Sequence, residues 1–123
     1  MAVQNIEVTT ESILCAVVRL PENEVDKLFK DAKRLKKRQT ELITKIKNID
    51  LLPEDQKIYG KLLKKFRAEK ITSEEHKKLI EFNEELENIG VQRLEWLIEI
   101  SQMRQQPLEE IMKELDIKPK NYG

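Results

Sequence analysis

Apolar side chains recur along most of this chain at alternating intervals of three and four residues, the spacing that lines one face of an α-helix. The clearest run is Val25, Leu28, Ala32, Leu35, Gln39, Leu42, Ile46 and Ile49, a heptad seam broken only by the polar Gln39. Before it, residues 11–20 carry Ile13, Leu14, Ala16, Val17 and Val18 on nearly every side, and so apolar a helix belongs in a core or in an interface. Pro21 ends that helix and opens the next, where a missing N–H costs nothing. Residues 5–10, reading NIEVTT, alternate polar and apolar with β-branched side chains. They suit a short strand or an extended arm, with Thr10 placed to cap the helix that follows.

Glu22, Glu24 and Asp26 lie at the positive end of a helix over residues 21–49 and the Lys/Arg cluster lies later, so its charges complement the macrodipole. Thr40 can also cap a fresh helix, which leaves two readings open: one continuous helix, or a break near residues 38–40. Pro53, Glu54 and Asp55 open a third helix with Ile58, Tyr59, Leu62, Leu63 and Phe66 on one face. Thr72 and Glu75 form a capping box that starts the longest helix, ~50 Å at the usual rise per residue. Its expected core is Leu79, Ile80, Phe82, Leu86, Ile89, Leu94, Leu97, Ile98 and Met103, with a bend at Gly90. Pro107 begins a last helix with Leu108, Ile111, Met112 and Leu115.

The pattern thus predicts helices near 11–20, 21–49, 53–68, 72–105 and 107–116. The fold class is all-α: a long antiparallel helical hairpin or small helical bundle, with a short strand or arm at its N-terminal end. Residues 1–20 form an arm and apolar interaction helix, 21–119 an elongated helical body, and 120–123 a tail.

Composition fits this picture, since 37% charged against 39% hydrophobic residues supports only a thin core, and 3 Gly and 4 Pro leave helices uninterrupted. The single Cys15 excludes an internal disulfide framework and, inside an apolar helix, reads as a small buried hydrophobe. With one histidine, His76, there is no ligand set for a structural zinc, and neither metal nor cofactor is expected. The longest apolar run, residues 13–18, is far short of the ~20 residues that span a bilayer, and no basic stretch precedes it; a cytoplasmic protein with no membrane contact is expected. No phosphate loop, nucleophile elbow or HExxH helix occurs, so the chain reads as a non-enzyme, with His76 an exposed surface histidine and Phe82 and Trp96 in a core or interface.

The zero net charge hides a basic middle: residues 27–67 hold 14 Lys and Arg against 5 Asp and Glu, whereas residues 72–123 hold 7 against 12. Either the basic and acidic helices face one another, or a stripe of Lys33, Arg34, Lys37 and Arg38 with Lys61, Lys64, Lys65 and Arg67 meets a polyanion such as nucleic acid.

The segments ELITKIKN, LPEDQKIYGKLLKKFRAEKITSEEHKKLIEFNEELE and QRLEWLIEISQMRQQPLEEIMKELDIKP, with the earlier IEVTTESILCAVVRLPENEVDKL, resemble a family of small, largely uncharacterised helical bacterial proteins. Gln105 or Gln106 stands where that family has a glycine. Its N-terminal module is similar to those of small toxin-neutralising proteins, which implies a protein partner such as a toxin, a nuclease or a larger complex. A second likeness is of VVRLPENEVDKLFKDAKRLKKRQTELITKI to ribbon-helix-helix repressors, and it implies a strand over residues 15–20 followed by two helices that bind DNA. The function expected from these readings is an antitoxin-like or adaptor module binding a protein partner or a second copy of itself. Ile13, Leu14, Val17 and Val18 are the partner-binding anchors. A DNA-binding regulator is the alternative.

Overall fold

The computed structural model describes residues 8–117, and these form five helices: α1 (Thr10–Val18), α2 (Glu22–Asn48), α3 (Pro53–Arg67), α4 (Ser73–Arg104) and α5 (Leu108–Glu114). The protein is all-α, as its apolar periodicity predicts, and there is no strand among the described residues. Part of the expected N-terminal strand, residues 5–7, lies outside them, as does the expected tail at 120–123; Thr10 already belongs to α1. The cap of α1 is Thr9, whose hydroxyl accepts from the Ser12 N–H at 3.1 Å while Ser12 Oγ accepts from the Thr9 N–H.

The choice left open at residues 38–40 falls to a single unbroken helix. Thr40 caps nothing: it sits inside α2, where its carbonyl accepts from Thr44 Oγ1 at 3.0 Å. A ribbon-helix-helix arrangement is therefore absent, since its strand segment is largely α1 and its two helices are one. The physical reason is plain: a capped apolar run and a heptad seam without a glycine turn both propagate as helix.

The chain divides into two compact units, Met1–Arg38 and Gln39–Gly123, and the boundary between them falls inside α2. In the second unit α4 is the spine. Gln39 is bonded to Arg104, and the Ile49 carbonyl to Arg93, so residues 39–49 run antiparallel to the C-terminal half of α4. Tyr59 meets Asn83 and Lys65 meets Glu75, which makes α3 antiparallel to the N-terminal half.

Two core clusters result. Leu51, Tyr59, Leu62, Leu79 and Phe82 fill one, with the Tyr59 and Phe82 rings edge to face at 5.9 Å. Leu42, Ile46, Leu97, Ile100 and Ile111 fill the other, and Trp96 packs beside it under Lys45. Three residues expected in the core of α4, Ile80, Leu94 and Ile98, are exposed instead, as are Ile58 and Phe66 on the apolar face of α3. Each half of α4 is covered along a narrow strip, so the neighbouring apolar positions stay at the surface. Gly90 lies within the unbroken α4, where a Cβ would meet nothing within 4 Å.

Candidate functional site

Within the first unit, α1 is short and its apolar residues exceed what one side can bury. Val17 is the covered residue of α1, while Ile13, Leu14 and Val18 are exposed, the last two at 60% and 75%. Three of the four expected anchors thus face solvent and Val17 does not. Cys15 is also exposed, contrary to its reading as a buried hydrophobe, because α1 presents most of its circumference to water. Leu20 borders a shallow open depression lined by Glu24, Lys27, Leu28 and Asp31 of α2.

The heptad seam of α2 changes character along its length. Leu42 and Ile46 are buried in the second unit, whereas Leu28 and Leu35 are 41% and 39% exposed. Phe29 is 55% exposed beside Leu28. Sequence reading passed over Phe29 because it lies one position off the seam, yet a phenylalanine flanking an a/d stripe is a signal in its own right.

Lys33, Arg34 and Lys37 project from the exposed surface of α2 and Arg38 is half-buried. Arg34 pairs with Asp31 one turn away at 3.6 Å across open surface, a contact of small worth. On α3, Lys61, Lys64, Lys65 and Arg67 are exposed, and Lys65 donates to Glu75 in the first turn of α4. Glu75 also closes the capping box with the Thr72 backbone N–H. The Lys65 ammonium, and after it the Thr72 N–H, hold the Glu75 carboxyl below its usual range. Here the first explanation of the uneven charge operates, with basic α3 against the acidic start of α4. The two basic groups belong to different units, Lys33, Arg34, Lys37 and Arg38 to one and Lys61, Lys64, Lys65 and Arg67 to the other.

His76 is exposed, with its ring stacked on Phe66 at 6.0 Å and 12°. Among the described residues, no group of three or more His, Cys, Asp or Glu side chains is arranged to hold a metal ion. None of the described helices is long and apolar enough to cross a membrane. Comparison with known protein families, curated proteins and solved structures gives no match. The first unit carries both the exposed apolar residues Ile13, Leu14 and Val18 of α1 and the exposed basic residues Lys33, Arg34 and Lys37 of α2.

Proposed function

We propose that this protein is a non-enzymatic interaction module that binds and regulates a protein partner through α1. The observation carrying this reading is the exposure of Ile13, Leu14 and Val18 together on a nine-residue helix. Apolar side chains clustered in this way mark contact surfaces, because leaving them in water forgoes about 1.5–3 kcal/mol for each fully buried aliphatic chain. The exposed Lys33, Arg34 and Lys37 in the same unit suit an acidic partner, whose approach they would accelerate. A toxin or nuclease neutralised by the chain is the form of partner that the sequence resemblance implies.

Isolation of the protein from its native cells, with nuclease treatment and mass spectrometry, tests the proposal. A protein should co-purify at constant stoichiometry from the parent chain and be lost from Leu14→Asp/Val18→Asp, whose helical circular dichroism stays that of the parent. Equal retention by that variant places the interface elsewhere. Association that disappears on nuclease treatment, and weakens steeply with salt, would instead assign the basic helices to nucleic acid.

A further inference from the structure

We infer that residues 22–38 of α2 pair with the same residues of a second copy of this chain, in antiparallel orientation, as a short two-stranded coiled coil. This goes beyond the partner reading and uses a different helix face. The motivating fact is the half of the heptad seam left uncovered: Val25 half-buried, and Leu28, Ala32 and Leu35 exposed, with Phe29 beside them. The four seam positions are spaced symmetrically about Lys30. A two-fold axis there sets Val25 against the partner's Leu35 and Leu28 against the partner's Ala32, filling every layer with an apolar pair. The same axis brings the two Phe29 rings together at one flank.

Charge chooses the orientation. The flanking positions are acidic at the start of the segment and basic at its end, so antiparallel pairing sets Glu22 beside the partner's Lys36 and Glu24 beside the partner's Arg38. Each contact occurs twice in a two-fold dimer, giving four attractive pairs. The single like-charge meeting, Asp31 with its symmetry mate, is attended by Arg34 on the same helix at 3.6 Å. A parallel, in-register pair would offer only Asp31 beside the partner's Lys36, twice, and would leave Glu24 against Phe29. Flanking ion pairs contribute orientation more than affinity, and here they favour one of the two. The paired stretch is ~25 Å long and ends where α2 enters the second unit, whose own helices already cover Leu42 and Ile46.

Sedimentation equilibrium of the full chain should show a reversible dimer. Glu22→Lys/Glu24→Lys and Lys36→Glu/Arg38→Glu should each weaken self-association about tenfold or more through like-charge repulsion, and an equimolar mixture of the two should restore it as a heterodimer. In a Cys15→Ser background, mixed Val25→Cys and Leu35→Cys chains should form disulfides joining position 25 of one copy to position 35 of the other. A parent chain that stays monomeric, a mixture that fails to recover, or cross-links joining only like positions would overturn the proposal. Leu14→Asp/Val18→Asp should dimerise as the parent does, so loss of the α1 partner and loss of self-pairing are read separately; a monomeric result for that variant would move the self-contact to α1 and overturn the α2 pairing.

Discussion

Among the described residues, three without a glycine's freedom adopt the left-handed conformation: Glu69 at φ 58°, Gln105 at φ 51° and Asp116 at φ 51°. Each follows a helix end. Behind Glu69, the Lys70 N–H reaches Lys65 O and the Glu69 N–H reaches Phe66 O; Gln106, Gln105, Ile117 and Asp116 repeat the arrangement on Ser101, Gln102, Met112 and Lys113. These bonds satisfy carbonyls that a helix leaves without partners, so the backbone hold is strong enough to keep a Cβ in an unfavourable region. Glycine at such a site has no Cβ to strain, and Glu69→Gly should raise stability by about 0.5–1 kcal/mol in urea denaturation. An unchanged or lower midpoint would show that the Glu69 conformation carries no strain. Gln105 gives the same turn geometry from a side chain that also donates to Gln102 O at 2.9 Å, so α4 ends here without a glycine.

At the scale of the element, α2 is one helix in two environments. Its seam has a single periodicity in sequence, but the residues that α4 and α5 cover, Leu42 and Ile46, are nearly inaccessible, whereas Leu35 two turns earlier is not. The consequence for stability is unequal. Leu42→Ala should cost about 2–5 kcal/mol, the range for truncation in a packed core. Leu35→Ala, measured at a concentration where the chain is monomeric, should cost less than about 1 kcal/mol, because its side chain leaves water only in part. Equal losses at the two positions would mean that Leu35 is buried within its own chain. The same helix carries Arg93's contact at its far end, where the guanidinium donates to Ile49 O at 3.0 Å and supplies positive charge beside carbonyls at the helix C-terminus.

For the molecule as a whole, the basic end of α3 meets the acidic start of α4 at Lys65 and Glu75, and an ion pair of this kind ties stability to pH. The Glu75 carboxyl is held below its usual range in the folded chain by Lys65 and the Thr72 N–H. A carboxyl so depressed contributes stability above its unfolded-state pKa, and that contribution is lost as pH falls through the folded value. Thermal unfolding followed from neutral to acid pH should therefore show a falling midpoint. Glu75→Gln should start lower at neutral pH and fall less steeply, and parallel curves for the two proteins would show that Glu75 takes no part.

Much of this architecture was legible in the sequence because helix formation is governed locally. All five helices lie within a few residues of the positions that periodicity, Pro21, Pro53, Pro107 and the Thr72–Glu75 box specify. What the chain pattern could not reveal is which apolar residues are covered. Ile100 and Leu51 are buried but lay outside the expected core, one missed on a long helix and the other in a connection, while Ile80, Leu94 and Ile98 were expected inside and are exposed. The alternation that yields a helix also yields several candidate faces, and only the arrival of α3, α5 and residues 39–49 on α4 selects one strip in each half. For the same reason periodicity marked residues 11–20 as apolar without distinguishing Val17 from Leu14 and Val18. Local sequence determines the hydrogen-bonded backbone, because its bonds close within a few residues; burial depends on contacts between residues far apart in the chain, and only the tertiary structure decides those.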